Sequence, residues 1–420
     1  MHKPMMANCQ SAKIHDRSIG LSPEERLLVL AARRALCPED GNEMTEILSE
    51  GLDWSWLEGS GKRLGVQPFM LKHFSRKENV CHVPAAVMVE LREACRLQSI
   101  RSFRNYSQIS RLLVVLNREK IPVILLKGAY LAEWAYEDRT LRPMSDIDIL
   151  VPESHAAGVQ ENLLGCGYEQ MQRYDQSLFH REVAHIGASH LPPLLMPTGV
   201  HVEVHLNLFN KVPIKTDAMA QVWNRATPID LYGASALALC PEHLILHLAL
   251  HLHHHMMGGN TTLYWFCDLD LVVRRCGEGI RWDEIKIAAE AMGIASRIAT
   301  IFHVMAQYWG TPIPKFMRDL HPGAHLDLSL RGALFQSKIN LRNFFPNRLQ
   351  LVREIQEKYG WGKGLYYTLR HLVPVRSYIL NRYDPQNRRE IYGCYIRHFF
   401  DRFRFVFSSL FVMVRNKLNQ

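Results

Sequence analysis

Two aspartates one residue apart, Asp146 and Asp148, open the apolar run Asp146-Ile147-Asp148-Ile149-Leu150-Val151. In a strand alternate side chains share a face, so both carboxylates point one way while Ile147 and Ile149 point into a core. Carboxylates about 7 Å apart on one strand repel each other, and a hard divalent cation is the usual reason to tolerate them. A third carboxylate, Glu203, lies in Val200-His201-Val202-Glu203-Val204-His205-Leu206. Its alternation places His201, Glu203 and His205 on one face and the aliphatic residues on the other. Three carboxylates on rigid strands suffice to hold two Mg²⁺ ions between an attacking oxygen and a triphosphate, which points to phosphoryl or nucleotidyl transfer.

The histidines allow a second chemistry. His201 and His205 flank Glu203, but strand spacing of about 7 Å per two residues makes it hard for all three to hold one ion. An accessory role, with one imidazole orienting the carboxylate or a substrate, fits better. His243, His247, His251 and His255 recur every fourth residue, with His253 and His254 beside them. Histidines at that helical spacing can bind Zn²⁺, with Asp268 or Asp270 completing the set, as in a metal-dependent hydrolase. The simpler reading is a helix packed against the catalytic sheet, its polar stripe facing the cleft and His247 or His251 close to the active site. His15-Asp16 has no partners of the kind a metal phosphohydrolase needs.

The elements that must position these residues can be read from periodicity. Ile121 to Leu126 reads as a buried strand, broken at Lys127-Gly128 and followed by a helical pattern from Ala129 to about Tyr136. A glycine turn between strand and helix is where backbone N–H groups and a helix N-terminus could hold phosphate. Pro152-Glu153-Ser154 starts a helix that runs to Leu164 with Gly165 as its cap. Strands are expected at Tyr168 to Gln172, Arg181 to Ser189 and Leu194 to Met196. The last turns through Pro197-Thr198-Gly199 into the Glu203 strand. Before this region the chain is helical, from Ser22-Pro23-Glu24-Glu25 through 43–58 and 84–118. Beyond about residue 233 it turns helical again, over Glu242 to about His255, Asp268 to Arg275 and Asp283 to Met292. The expected divisions are a disordered N-terminus (1–20), an N-terminal helical region (21–118), a catalytic core (119–232) and a C-terminal helical region (233–420).

With 420 residues, 47% of them hydrophobic, the chain can build two or three domains around a sizeable core. A net charge of +9 favours an anionic partner such as a nucleotide, RNA or a membrane surface. Nine cysteines, an odd number without a CxxC pair, suggest a reducing, cytoplasmic setting. The first residues lack the apolar stretch of a signal peptide, and no run of about 18 apolar residues occurs. The basic, aromatic segment Ile396 to Gln420 has an apolar piece, Leu410 to Val414, too short to span a bilayer. It could lie on an anionic membrane, although a terminal helix docked on the protein's own core is the plainer expectation.

The order of strand, glycine turn, helix, Asp-x-Asp strand and single-acid strand resembles the nucleotidyltransferase superfamily typified by DNA polymerase β. In detail, LLKGAYLA, RPMSDIDILV, Gly165-Cys166-Gly167-Tyr168, VHVEVHLNL, LCPEHLILHLALH and WFCDLDLV look like the bacterial family of uncharacterised nucleotidyltransferases. That resemblance covers roughly residues 50 to 300. It implies an α/β fold, a small mixed sheet with helices like the polymerase β core, between N- and C-terminal helical regions. It also implies transfer of a nucleoside monophosphate from an NTP, ATP foremost, to a hydroxyl of a protein, RNA or small molecule. Asp146, Asp148 and Glu203 would be the metal-binding and catalytic residues, with two Mg²⁺ ions. Lys127, Gly128, Arg142 and Ser145 would meet the nucleotide; the plainer alternatives are a solvated strand end for Lys127 and an ion pair with a nearby acid for Arg142. The chain departs from the superfamily in reading Lys127-Gly128-Ala129, where Gly-Gly or Gly-Ser is usual, and Lys127 would compensate for the missing hydroxyl. A fold that kept nucleotide binding without catalysis is the alternative in a different functional class.

Overall fold

The structure is a computed structural model that describes residues 20–170, 190–209, 216–258, 261–320, 334–335, 376, 379, 387 and 389–400. It is a mixed α/β fold, and seven strands occur among the described residues. The chain forms two compact units, Met1–Pro152 with Ile214–Ile339, and Glu153–Pro213 with Asn340–Gln420.

The first unit opens with helices α1 (Pro23–Ala31), α2 (Pro38–Leu48), α3 (Trp54–Arg63), α4 (Gln67–Phe74) and α5 (Ala85–Arg118). Ser22 starts α1 with a capping box: its hydroxyl accepts from the Glu25 amide at 3.2 Å, and the Glu25 carboxylate accepts from the Ser22 amide at 2.8 Å. The helix expected over 43–58 is in fact the end of α2 and the start of α3. The break falls at 49–53, where the Asp53 side chain accepts from the Trp56 amide at 2.9 Å and so begins a new helix. Helix α5, about 50 Å long at 1.5 Å per residue, buries Val87, Met88 and Leu91 early and Ile109, Leu112, Leu113 and Leu116 late.

From α5 the chain enters β1 (Ile124–Leu125), α6 (Lys127–Trp134) and β2 (Asp146–Leu150). Strand β1 pairs antiparallel with β2, Ile124 opposite Leu150 and Leu125 opposite Ile149. It pairs parallel with β7 (Ala234–Ala238), Ile124 opposite Leu237. The ladder is shorter than the apolar run Ile121 to Leu126 suggests, because the Leu126 amide donates to the Asp148 carbonyl at 3.0 Å just as the backbone turns into α6. A hairpin of β6 (Thr227–Leu231) and β7 extends this ladder beyond β1, turning at Tyr232 and Gly233, both with positive φ (56° and 75°). That hairpin corrects the expectation that the chain is helical from 233: Ala-Ser-Ala-Leu-Ala has too little contrast between its faces to register as a strand. Helices α8 (Thr216–Asn224), α9 (Pro241–Gly258), α10 (Tyr264–Cys276), α11 (Trp282–Ala291) and α12 (Ala295–Val304) belong to the same unit.

The second unit contains α7 (Ala156–Gly165) and an antiparallel set of β3 (Glu169–Gln170), β4 (Leu194–Leu195) and β5 (His201–His205). Gly165 lies inside α7 rather than capping it. The left-handed residue is Gly167 (φ 87°), and the Tyr168 and Gly167 amides donate to the Leu163 and Leu164 carbonyls, two residues later than expected. Between β4 and β5 the Met196 amide donates to the Val200 carbonyl at 2.9 Å, with Gly199 at φ 84° making the turn. This matches the hairpin read from Pro197-Thr198-Gly199. The expected strand Arg181 to Ser189, the N-terminal His15-Asp16 and the tail beyond Phe400 lie outside the described residues. No helix among the described residues is long and apolar enough to cross a membrane.

Candidate active site

Strand β2 carries the two aspartates, and the start of α6 determines their surroundings. Asp146, at the strand's edge, is half-buried, while Asp148 is only 2% exposed. Simple alternation predicts an open acidic face, but the Lys127 side chain covers it: its ammonium donates to Asp148 Oδ1 at 2.7 Å. A carboxylate buried this deeply needs such a partner, since an unpaired charge out of water costs several kcal/mol. Lys127 reaches it from an uncommon backbone, φ 44° at the first position of α6, a left-handed conformation that costs about 1–2 kcal/mol in a residue with a side chain.

Asp146 accepts from the Ser145 hydroxyl at 3.0 Å. Burial raises its pKa and the negative charge of Asp148 raises it further, against a downward pull from Lys127 and Ser145. The pair therefore stands under mutual repulsion, as its spacing predicts.

Arg142 lies under the glycine turn. Its Nη2 donates to Asp268 Oδ2 at 2.8 Å, its Nε to Asp268 Oδ1 at 3.3 Å and its Nη1 to the Pro143 carbonyl at 2.8 Å. The Tyr136 hydroxyl donates to Asp268 Oδ1 at 2.7 Å. The guanidinium lies 5.0 Å from the Tyr264 ring centre, and Arg142 is 4% exposed. Burial alone would lower its pKa, but Asp268 holds it above the ordinary arginine value. Gly128 is a glycine for a steric reason: a Cβ there would strike Nη1 of Arg142 and come within 3.0 Å of its Cζ.

The histidine stripe of α9 belongs to the same unit. The His251 ring lies 4.4 Å from that of His255, 4.7 Å edge-on from Trp265 and 6.4 Å from His247. Burial first, then the positive Lys127 and the neighbouring histidines, hold its pKa well below 6.5, while Asp148 opposes them. The stripe is thus within electrostatic reach of the Lys127–Asp148 pair. Among the described residues the stripe gathers no three donor atoms around one ion. The two aspartates considered for such a set are otherwise engaged. Asp268 is taken by Arg142 and Tyr136, and Asp270 by Arg274 at 2.9 Å and Thr311 at 2.7 Å.

In the second unit, Glu203 and His205 share a face of β5, with His205 Nε2 3.8 Å from Glu203 Oε2. Val202 and Val204 between and beside them are fully buried, which fixes the strand's facing. His201 is half-buried, opposite Leu195 on the ladder. His190 bridges to His205 through the backbone, their rings 5.6 Å apart.

Three contributors escape a reading of the sequence: His190, Tyr136 and Tyr264. Their role comes from packing across the chain, and only Asp268, an acid inside the apolar run of α10, carries a signal of its own. Residues 50–310 match the model of a family described as uncharacterised nucleotidyltransferase, more than half of the chain, including Lys127, Asp146, Asp148, Glu203 and Asp268. No curated protein and no solved structure matches.

Proposed function

The chain belongs to the uncharacterised nucleotidyltransferase family, and from that premise we propose that it moves a nucleoside monophosphate from an NTP, ATP foremost, to an acceptor hydroxyl. The acceptor class is a protein, an RNA or a small molecule. The observation that carries this reading is the crowded Asp146–Asp148 pair, set on a strand that follows a glycine turn and carrying Lys127 on its inner member.

The donor chemistry fits a divalent cation. Asp146 and Asp148 of β2 offer two crowded carboxylates whose repulsion a cation would relieve, and β5 by itself offers a carboxylate and an imidazole, Glu203 and His205, 3.8 Å apart. Asp146, Asp148 and Glu203 would hold Mg²⁺, two ions in the full reading, which when bound supplies charge neutralisation on the triphosphate. Lys127, the Gly128 turn and Ser145 would receive the phosphates, because an ammonium and backbone N–H groups at a helix start suit anions. Arg142, buried beneath that turn, would act on the nucleotide through the backbone it supports. Glu203 would take the proton of the attacking hydroxyl, oriented by His205, and His201, His247 and His251 are accessory positions. Most of the rate would come from positioning and charge, as is general for phosphoryl-group transfer.

The same reading makes the core a member of the DNA polymerase β-like superfamily acting in the cytoplasm, its basic C-terminal segment available to an anionic membrane surface. Incubating the purified protein with Mg²⁺, labelled NTPs and a cell extract should transfer label to an acceptor. Labelling no greater than that of an Asp146→Ala control would refute the activity. Calorimetric binding of Mg·ATP without turnover would instead make this a nucleotide-binding protein that has lost the chemistry.

A further inference from the structure

We propose that Asp268, acting through Arg142, is a positioning residue that sets the Lys127-Gly128 turn and thereby holds the Lys127 ammonium on Asp148. For its consequence in catalysis this role rests on the nucleotidyl-transfer reading. Its geometry stands within one unit.

The contacts form a continuous path. Asp268 receives three hydrogen bonds, one from Tyr136 and two from Arg142, so both its oxygens are fixed. The guanidinium is fixed in turn by the Pro143 carbonyl and lies over Tyr264. Asn105 of α5 anchors the adjoining backbone by donating to the Met144 carbonyl at 2.8 Å.

Two glycines pack closely against this layer. A Cβ at Gly128 would strike Arg142, and a Cβ at Gly65 (φ 71°) would come 2.6 Å from the Tyr264 ring. At both positions the missing side chain lets backbone close on this layer, on Arg142 at Gly128 and on Tyr264 at Gly65, where the positive φ also suits glycine. The residue adjoining Gly128 is Lys127, whose φ of 44° persists only if its surroundings impose it. The guanidinium packed on the neighbouring peptide is the rigid body that can do so. Removing the Asp268 charge frees Arg142 to move, lets the turn relax and releases Lys127 from Asp148.

Competitive acetylation read by mass spectrometry measures the accessibility of each lysine in the intact chain and needs no activity. In the native protein Lys127 should label slowly relative to the α3 surface residue Lys62. Asp268→Asn and Gly128→Ala should each speed Lys127 labelling at least about fivefold, with Asp268→Glu falling between. Asp40→Asn, which breaks the separate buried pair Arg33–Asp40, should lower the melting temperature yet leave Lys127 slow. Unchanged Lys127 labelling in folded Asp268→Asn and Gly128→Ala, or an equal rise in Asp40→Asn, would overturn the proposal. Calorimetry with Mg·ATP is the second arm, where Asp268→Asn should weaken binding about tenfold or more and Asp40→Asn should not. Failure of the native protein to bind Mg·ATP would sink the nucleotidyl-transfer reading alone, with the labelling result still deciding the positioning role.

Discussion

Two acidic sites in one unit, both with a nearly inaccessible carboxylate, are built on opposite principles. At Asp268 one carboxylate meets a guanidinium and a phenol, receiving the phenol hydroxyl and two of the guanidinium's nitrogens as donors. At β2 two carboxylates stand two residues apart, and one is pushed to a higher pKa by burial and by the other's charge. Lys127 holds the inner one from a strained backbone. The first arrangement favours the folded state, since it balances its charges and fills its hydrogen bonds. The second costs stability, and like charges kept together at a cost mark a place where another species is meant to share them.

That contrast can be broken at either end. Asp268→Ala leaves Arg142 charged and buried with its main partner gone, so the protein should lose about 3–5 kcal/mol in denaturant unfolding. A loss under 1 kcal/mol would mean that the cluster is not the balanced one described. Asp146→Asn should behave in the opposite way. It removes one of two repelling charges while keeping shape, so stability at neutral pH should hold or rise, while nucleotidyl transfer falls by about 10²-fold or more. An Asp146→Asn protein that is both clearly less stable and fully active would reverse the assignment of the two sites.

What the sequence reveals of these sites divides in the same way. Asp146, Asp148 and Glu203 stand out because strand alternation is a local signal, and the flanking Ile147, Ile149, Val202 and Val204 are indeed buried. The hairpin at Pro197-Thr198-Gly199 is legible for the same reason. The lid that Lys127 forms over Asp148 is not, because it depends on one backbone dihedral. Nor is the partnership of Arg142 with Asp268, 126 residues away: a residue's identity does not show which of several acids it will meet. Gly128 reads as a phosphate turn from sequence, and the structure adds that Arg142 needs the space. The β6–β7 hairpin stays hidden because alanines leave little contrast between the faces of a strand.

Acid sharpens the comparison. Burial lowers the pKa of His73, His243 and His253 from 6.5 to about 4, so the folded state refuses protons that the unfolded chain accepts. Above pH 6.5 this costs nothing, and stability is lost as pH falls through 6.5 toward 4. At pH 5 each histidine should cost about 2 kcal/mol, read from unfolding midpoints. Asp146 has the opposite sign. Its raised pKa penalises the ionised folded state at neutral pH, and that penalty is relieved as pH falls through the folded value. Any stability advantage of Asp146→Asn over the native protein should therefore be greatest at neutral pH and shrink on acidification. An advantage that grew in acid would contradict the crowding of the two carboxylates.

The smallest effect isolates a single hydrogen bond. Ser145 donates to Asp146 at 3.0 Å and is one of the groups pulling that carboxyl's pKa down. In Ser145→Ala the carboxylate loses a donor at a half-exposed position where water can replace it, so the loss of stability at neutral pH should be about 1 kcal/mol or less. The Asp146 pKa should move further up, measurable by following its carboxyl carbon through a titration. Catalysis should fall more than stability, because the same hydroxyl stands where the proposed nucleotide would lie. A variant that lost stability and activity in equal measure would place Ser145 with the closed cluster of Asp268, whose disruption costs the fold as well as the turn it supports.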